Sequence, residues 1–282
     1  MIDPKQDVRA LSAETCALIL VAGLGSRLGP TTRDCPKALV PVAGTPILER
    51  MIDTLGEQGI TSFILVVGYL ADQIRGFVEA RYPDLDVRFV ENPAYATTGS
   101  MCSLDLGLDA LGPQHNVLVL EGDGVLEPAL VLRTLQAAGR AREAATLLAP
   151  YEPSLSGTFA LVHGDLVSAW LHESVRAVDF PLETSFKTVN VTFVRKGAPL
   201  VALRNTVKLS LAGFGSKAPL EFAMQDLVAK GMQILAVDTG GLRWFEVDTP
   251  EDLAIAESLF VRAGGLAAPE RPAADQSPSA AS

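Results

Sequence analysis

The sequence predicts an α/β fold built on a mainly parallel β-sheet that helices cover on both faces. Short, wholly apolar segments alternate along the chain with segments whose apolar residues recur at helical spacing. Strands without polar alternation are typical of parallel sheets that are buried on both sides. The chain has 282 residues, of which 48% are hydrophobic, so it can bury one sizeable core, or one core with an appended lobe.

Strands and helices alternate regularly in the first half of the chain. The predicted strands are CALILVAG (16–23), SFILVVGY (62–69), DVRFVEN (86–92) and NVLVLEGD (116–123). The predicted helices are PILERMIDTLGEQG (46–59), ADQIRGFVEARY (71–82), GSMCSLDLGLDAL (99–111) and EPALVLRTLQAAGRA (127–141). Ligands of such sheets bind beyond the carboxyl ends of the strands. Gly23, Tyr69, Asn92 and Asp123 all fall at such ends.

From about Ala144 the pattern changes to shorter strands joined by polar loops, which predicts a small mixed-sheet extension or second lobe. The strands are predicted within 144–150, 158–171, 187–196 and 233–239, and the helices over 218–231 and 249–263. Thr249 is expected to be the N-cap of the last helix, with Pro250 at its first position.

The two ends of the chain are expected to lie outside the folded domain of about residues 16–262. Residues 1–15 are polar and predict a flexible leader, and the Ala-, Pro- and Ser-rich residues 263–282 predict a disordered tail. Neither a secretion signal nor an apolar run long enough for a membrane span is visible. The three cysteines form no CxxC pair. Together these features favour a cytoplasmic protein with reduced thiols.

The formal net charge of −10 makes the chain a poor general binder of nucleic acid or of anionic lipid. A protein this acidic can bind phosphates only through a local basic cluster, a divalent metal, or both. The loop after the first strand offers such a cluster, because Arg27 and Lys37 accompany its glycines.

The glycines of this loop do not predict a dinucleotide site. Gly23, Gly25 and Gly29 follow G-x-G-x-x-x-G, whereas a Rossmann loop has G-x-G-x-x-G and an acidic residue at the end of the second strand. Glycines also let backbone N–H groups approach a polyphosphate, and Arg27 and Lys37 supply cations for its oxygens. The alternative is that both are ordinary surface cations.

The stretch AGLGSRLGPTTRDCPKALVPVAGTPIL (22–48) resembles the signature of nucleotidyltransferases that join a nucleoside triphosphate to a phosphorylated sugar or small alcohol. The resemblance covers about residues 16–262 and implies a Rossmann-like, GT-A-like nucleotidyltransferase fold. It implies that the loop residues hold the triphosphate, that Arg27 stabilises the departing pyrophosphate and that Lys37 contacts the reacting phosphates. The implied loop contacts are Ala22, Gly23, Gly25 and Ser26.

Carboxylates near two predicted strand ends could hold a Mg²⁺ ion that offsets repulsion between phosphates. Asp123 follows an apolar strand, and Glu246 and Asp248 lie two apart on one face of an extended segment. Mg²⁺ needs only one or two protein carboxylates, so Asp123 and Asp248, helped by Glu246, would suffice. The resembled family carries a metal-binding Asp at both places. Alternatively, Asp123 forms a turn and Asp248 is a helix N-terminal charge.

Two further segments are similar to cytidylyltransferases that act on phosphocholine or on aminoethyl- and hydroxyethylphosphonates. The first is ENPAYATTGSMCSL (91–104), in which Tyr95 is expected under the base and Ser100 and Ser103 are expected to bond the base or a phosphate. Packing and helix capping are their alternative roles. The second is FKTVNVTF (186–193), whose Lys187 by resemblance meets the acceptor phosphate or phosphonate. Asn190 is expected to orient either the acceptor or the water molecules of the metal. A solvated strand-edge lysine is the alternative.

The sequence therefore predicts a Mg²⁺-dependent cytidylyltransferase that uses CTP and a small phosphonate or phosphomonoester and releases pyrophosphate. Residues 16–143 would form the nucleotide-binding half and residues 144–262 the acceptor-binding half. Three alternatives stay open: a sugar-1-phosphate nucleotidyltransferase using UTP, dTTP or GTP, a non-catalytic nucleotide-binding module, and a glycosyltransferase. The last usually shows a D-x-D motif, where this chain has Asp123-Gly-Val.

Overall fold

The computed structural model describes residues 4–261, and within that range a nine-stranded sheet forms the centre of the molecule. The strands are β1 (Thr15–Val21), β2 (Pro41–Val42), β3 (Thr45–Pro46), β4 (Ser62–Val67), β5 (Asp86–Glu91), β6 (Asn116–Glu121), β7 (Gly124–Leu126), β8 (Ala144–Pro150), β9 (Phe159–His163), β10 (Leu166–Leu171), β11 (Phe186–Val194), β12 (Ile234–Asp238) and β13 (Trp244–Glu246). The central order is β5-β4-β1-β6-β11-β8-β12-β10-β9.

The first half of this sheet is parallel, as the continuous apolar segments predicted. Strand β1 pairs in parallel with β4 and β6, and β4 pairs in parallel with β5. Strand β11 then runs antiparallel to both β6 and β8, and β12 is parallel to β8. The mixed half therefore continues the same sheet. The predicted fold class, a mainly parallel sheet flanked by helices with a mixed extension, is confirmed.

Helices cover both faces of the sheet. They are α1 (Pro4–Ala13), α2 (Ile47–Glu57), α3 (Ala71–Arg81), α4 (Ser100–Ala110), α5 (Pro128–Arg140), α6 (Ala198–Phe214), α7 (Glu221–Ala229) and α8 (Pro250–Phe260). Alternate residues of β1 enter two different apolar clusters: Ala17 and Ile19 belong to one, Leu18 and Leu20 to the other. This alternation follows from the two-residue period of a strand, and it explains why β1 has no polar side chain after Thr15.

The structure differs from two sequence expectations. The leader predicted over residues 1–15 contains helix α1, which contacts α5 and buries Val8 to 7% exposure. Thr15 belongs to β1. Helix α6 was not predicted, although Leu200, Leu203 and Val207 give it a buried stripe at helical spacing. The tail predicted over residues 263–282 lies outside the described residues.

Among residues 4–261, no helix is both long and apolar enough to cross a lipid bilayer. Two short antiparallel strand pairs lie outside the main sheet. One joins β2 to β3, and the other pairs β7 with β13 so that Glu246 lies opposite Gly124. This second ladder brings residues far apart in sequence to the end of β6.

Candidate functional site

A cleft of about 320 Å³ opens at the carboxyl ends of β1 and β6. This volume lies at the lower end of the range for small-molecule sites, about 300–1,000 Å³. All residues predicted from sequence to bind a nucleotide line it: Ala22, Gly23, Gly25, Ser26, Arg27, Lys37, Tyr95, Ser100 and Ser103. Asp123 and Asp248 also line it. The sequence-predicted nucleotide residues and these two carboxylates thus share one cavity.

Gly25 lets the loop after β1 fold tightly against Lys37. Its backbone is left-handed, with φ of 62°, and a Cβ atom here would lie 2.8 Å from the Lys37 Cβ. The Thr32 hydroxyl donates to the Gly25 carbonyl at 2.9 Å and closes the turn. Glycine is required here for both conformation and space.

Gly25→Ala is expected to destabilise the protein, because alanine in a left-handed conformation costs about 1–2 kcal/mol and its methyl group would displace Lys37. Urea unfolding should show a lower midpoint. The matched control is Gly23→Ala, since a Cβ atom on Gly23 meets nothing within 4 Å. Equal midpoints for the two variants would contradict this interpretation.

Lys37 lies between two carboxylates. Its ammonium donates to Asp123 Oδ2 at 2.9 Å and to Asp248 Oδ1 at 2.7 Å. The β7–β13 ladder explains the approach of Asp248 to Asp123, because the Val247 N–H donates to the Asp123 carbonyl at 3.0 Å. The structure thus brings Asp123 and Asp248 together at the carboxyl end of β6.

Lys37, Asp123 and Asp248 form an ion-pair triad, in which the charge of each side chain affects the others. Burial alone would raise the pKa of Asp123, but the Lys37 ammonium, a backbone hydrogen bond and the charge of Lys187 together lower that pKa below the usual value. Burial likewise acts to lower the pKa of Lys37, and Asp123 and Asp248 together raise it instead. Asp123 and Lys37 are therefore both charged at neutral pH.

Arg27 joins the triad from the mouth of the cleft. Its guanidinium donates to Asp248 Oδ1 at 2.8 Å, while 71% of its side chain is exposed. An exposed ion pair of this kind contributes little to stability. Arg27 is therefore positioned to exchange partners with an anion that enters the cleft.

The turn before α8 fixes the backbone at Asp248. Thr249 caps the helix by accepting from the Asp252 N–H at 3.1 Å, and Asp252 accepts from the Asp248 and Thr249 N–H groups at 3.1 and 2.8 Å. The predicted N-cap at Thr249 is confirmed. Because Thr249 and Asp252 together cap the helix, the Asp248 carboxylate is not needed there, and it bonds Lys37 and Arg27 instead.

The donor set at this edge fits one Mg²⁺ ion. Asp123 and Asp248 meet at a common ammonium, and Mg²⁺ in proteins is usually bound by one or two carboxylates together with water and phosphate oxygens. Within the described range 4–261, no group of three or more His, Cys, Asp or Glu side chains is placed to hold a metal. Two carboxylates are thus what the chain itself would supply.

Glu246, predicted as a helper of the metal site, binds other partners. Its Oε1 accepts from Lys187 Nζ at 3.0 Å and from Asn190 Nδ2 at 3.2 Å. Lys187 is 4% exposed, so the alternative of a solvated strand-edge lysine is wrong. The structure therefore separates an Asp123–Lys37–Asp248 group from a Lys187–Glu246–Asn190 group.

A bulge in β11 makes the second group possible. Residues three apart in a regular strand point to opposite faces, yet Lys187 and Asn190 reach the same oxygen. The pairing of β11 with β8 shifts between Thr188 and Thr192, and Asn190 has a left-handed φ of 56°. Bulges and such backbone conformations are frequent at functional sites, where they re-aim a side chain.

Glu246 should make stability depend on pH. Burial is the main reason why its pKa is raised from 4.5 to about 7; Lys187 opposes the shift and Asp123 adds to it. The folded state then holds a proton that the unfolded state releases above about pH 4.5, so this group destabilises the fold as pH rises toward 7. Glu246→Gln removes the effect.

The free energy of unfolding of the wild type, relative to Glu246→Gln, should therefore fall by about 2–3 kcal/mol between about pH 5 and pH 8. Chemical unfolding at several pH values measures this difference. Glu79→Gln, a change on the exposed side of α3, is the control and should give a constant difference. A constant difference for Glu246→Gln as well would refute the assignment.

The serines predicted to contact the nucleotide already have structural partners. Ser103 Oγ accepts from Asn92 Nδ2 at 3.1 Å, and Ser100 Oγ accepts from the Leu220 N–H at 2.9 Å. A hydroxyl keeps a proton and a second lone pair for another contact. Tyr95 lies against Gly68, where a Cβ atom would come 2.7 Å from the Tyr95 Cβ. Their nucleotide contacts stay predictions.

Sequence reasoning assigned no role to Glu121, which lines the same cleft. The sequence feature that could have identified Glu121 as a site residue is its position at the end of an apolar strand, two residues before Asp123. Burial is the main reason why its pKa is raised well above the usual value, and the negative charge of Glu221 is the next. Glu221, on α7, carried no such signal.

Comparisons with known proteins find one family model and several relatives by sequence. A family model described as a MobA-like NTP transferase domain matches residues 17–204. A CMP-5'-(3-aminopropyl)phosphonate synthase from Streptomyces rubellomurinus is 34% identical over 249 residues, covering 86% of this chain and 38% of the relative. A 2-aminoethylphosphonate cytidylyltransferase from Lancefieldella rimae is 38% identical over 120 residues, covering 42% of this chain and 47% of the relative. This chain therefore spans less than half the length of either relative.

A solved structure shows the same fold. The CTP:phosphocholine cytidylyltransferase of Streptococcus pneumoniae superposes with a TM-score of 0.70 at 22% identity, covering 87% of this chain and 99% of that one. The similarity extends through both the parallel and the mixed halves of the sheet.

Proposed function

The chain belongs to the MobA-like NTP transferase family, and from that premise we propose that it is a Mg²⁺-dependent cytidylyltransferase. It would transfer CMP from CTP to a small phosphonate or phosphomonoester. The observation that carries the proposal is Lys37 held between Asp123 and Asp248, with Arg27 beside them, in a cleft behind the β1 loop. The similarity to a CMP-5'-(3-aminopropyl)phosphonate synthase and to a 2-aminoethylphosphonate cytidylyltransferase supports the choice of CTP and of the acceptor.

The proposed reaction is an in-line displacement at the α-phosphorus of CTP. An oxygen of the acceptor phosphonate or phosphate forms a bond to this phosphorus, and the bond from it to the bridging oxygen of the β-phosphate breaks. Pyrophosphate leaves with the electron pair. The acceptor oxygen is already anionic at neutral pH, so the site needs no general base.

The chain's own residues would supply position and charge. The backbone of the β1 loop faces the triphosphate, and Arg27 and Lys37 stabilise the negative charge that moves to the leaving pyrophosphate. Correct positioning of two reactants contributes roughly 7–11 kcal/mol to such a reaction. Fixed cations in a cleft of low dielectric add to this contribution.

Charge balance supports a metal at Asp123 and Asp248. The two cations Arg27 and Lys37 are matched by these two carboxylates. A triphosphate therefore enters a site without surplus positive charge. Mg²⁺, when bound, would neutralise phosphate charge there.

Lys187 and Asn190 are proposed to hold the anionic end of the acceptor. Lys187 is buried beside Glu246, and Glu246 pairs across the small ladder with Gly124, the neighbour of Asp123. Lys187 therefore lies near the proposed metal ligand Asp123. An acceptor phosphonate at Lys187 would thus be near the α-phosphate.

Pyrophosphate release tests the proposal. CTP, UTP, GTP and dTTP are each combined with 2-aminoethylphosphonate, 2-hydroxyethylphosphonate, phosphocholine and glucose 1-phosphate, with and without Mg²⁺. We expect turnover with CTP and a phosphonate or phosphomonoester, and only with Mg²⁺. Turnover of UTP, GTP or dTTP with the sugar phosphate would replace the proposal by a sugar nucleotidyltransferase. Binding of CTP without any turnover would replace it by a nucleotide-binding module.

A further inference from the structure

Asn92 is a buried residue directly after β5, and its side-chain amide uses all of its hydrogen-bonding groups. The residue is 2% exposed. Its Oδ1 accepts from the Ala94 N–H at 3.0 Å. Its Nδ2 donates to Thr98 Oγ1 and to Ser103 Oγ, in each case at 3.1 Å. The protein alone therefore holds this amide in place.

The contact with Ala94 determines which end of the Asn92 amide faces the two hydroxyls. A backbone N–H can only donate, so the atom that faces it is the amide oxygen. The NH₂ group then faces Thr98 and Ser103, and both hydroxyl oxygens accept from it. Thr98 gives its own proton to the Ala94 carbonyl at 3.0 Å. Ser103, in contrast, donates to no acceptor in the described range 4–261.

Ser100 presents a second hydroxyl proton to the cleft. Its Oγ accepts from the Leu220 N–H at 2.9 Å, and it donates to nothing within the part of the chain that the structure describes. Ser100 and Ser103 lie three residues apart in α4, which puts them on one helix face, and both line the cleft. Helix α4 therefore offers two O–H donors, and a ligand group with two acceptors fits them.

The two serines lie in a part of the cleft without charged side chains. The charged residues of the lining come from other segments: Arg27, Lys37, Glu121, Asp123 and Asp248. A triphosphate binds where the cations lie, so the base of the same nucleotide is expected beside α4. Tyr95, which also lines this part, offers an aromatic ring to the base.

Two O–H donors fit cytosine better than uracil. In cytosine, O2 and the adjacent N3 are both acceptors, whereas uracil has an acceptor at O2 and an N–H donor at N3. The second lone pair of Ser103 Oγ can accept from that N–H, but the hydroxyl proton then has no acceptor in a residue that is 6% exposed. A buried donor without a partner is costly, so uracil is disfavoured.

We propose that Asn92 is the positioning residue that makes the site select cytosine over uracil. It acts through Ser103, because its NH₂ group holds the serine as a donor and the serine donates to N3 of the base. The inference rests on the proposed function, since it places the triphosphate of the same nucleotide on the β1 loop.

Asn92→Asp reverses the direction of the decisive hydrogen bond. A carboxylate still accepts from the Ala94 N–H but has no proton for Ser103, so the serine donates to it and turns its lone pairs to the cleft. These lone pairs then accept from N3–H of uracil. The added charge lowers the affinity for both nucleotides, so the ratio of the two affinities is the diagnostic quantity.

Calorimetric titration of the full chain with CTP and with UTP measures this ratio, with Mg²⁺ present and no acceptor. The wild type should bind CTP at least about tenfold more tightly than UTP, because the wrong base leaves a buried donor unpaired. In Asn92→Asp the ratio should fall to about one or lower. Asn205→Asp, the same change at an exposed position of α6, is the control and should keep the wild-type ratio.

Ser103→Ala tests the same contact in case Asn92→Asp does not fold. Loss of the hydroxyl should lower the preference for CTP over UTP to below about threefold. The triphosphate of 3-deazacytidine, in which C–H replaces N3, should bind the wild type at least about tenfold more weakly than CTP. Ser103→Ala should bind this analogue and CTP equally. A purely structural role would instead lower the affinity for all three nucleotides alike.

Binding of neither nucleotide, a wild-type ratio near one, or an unchanged ratio in either folded variant would each overturn the role of Asn92. Pyrophosphate release judges the proposed function separately. Turnover of CTP with unchanged ratios in both variants would remove the base selection and leave the cytidylyltransferase. The expected ratios without turnover of any nucleotide would keep the base selection and remove the cytidylyltransferase.

Discussion

Replacing Lys37 with methionine is expected to reduce both stability and turnover. Methionine keeps much of the side-chain volume but leaves Asp123 and Asp248 facing each other without the ammonium at 2.9 and 2.7 Å. Removal of one partner of a buried ion pair costs about 3–5 kcal/mol, and the side chains here are 15–25% exposed, so about 2–3 kcal/mol is expected. Turnover should fall at least about 100-fold, since a lost contact with the leaving charge raises the barrier by several kcal/mol.

The effect of Mg²⁺ on the unfolding temperature distinguishes loss of the Lys37 ion pairs from general damage to the fold. If the two carboxylates repel each other in Lys37→Met, added Mg²⁺ should raise the unfolding temperature of the variant more than that of the wild type. Lys217→Met, at an exposed position before α7, is the control and should change neither property. An unfolding temperature equal to the wild type without Mg²⁺ would contradict the proposed ion-pair triad.

Asp123→Asn and Asp248→Asn are expected to lose activity without losing the fold. Each change leaves Lys37 with one carboxylate partner, so the free energy of unfolding should change by no more than about 1–2 kcal/mol. Loss of one of two metal ligands should lower kcat/KM with CTP by at least about 100-fold and raise the Mg²⁺ concentration needed for turnover.

The exposed turn residue Asp84 provides a matched control, because Asp84→Asn removes the same charge far from the cleft. Steady-state pyrophosphate release at several Mg²⁺ concentrations compares the three variants. Near-normal activity of Asp123→Asn or of Asp248→Asn would show that the carboxylate pair is not the metal site.

The parallel half of the fold was predictable because its strands are buried on both faces. Cys16 through Val21 are all buried, and a continuous apolar segment of that length has few other structures open to it. The mixed half was less predictable, since the place of β11 between β6 and β8 depends on long-range pairing. Helix α1 was missed because its ten residues contain few apolar positions, and Val8 buries only through contact with α5.

The candidate site also has a part that could be predicted from sequence and a part that depends on long-range pairing. Gly25, Lys37 and Asp123 follow strand ends or a recognisable motif, and the structure brings them together. The approach of Asp248 depends on the β7–β13 ladder, which consists of two three-residue strands with no strong pattern. Sequence also could not show that the cations bind the carboxylates directly, or that Glu246 binds Lys187, because side-chain partners depend on packing.

A crystal structure of the protein with CTP and Mg²⁺ is the most direct test of the central claim. The account predicts the triphosphate on the loop from Gly23 to Arg27, with oxygens of Asp123 and Asp248 bound to one metal ion beside the phosphates. A triphosphate bound elsewhere, or a metal ion that touches neither carboxylate, would contradict it.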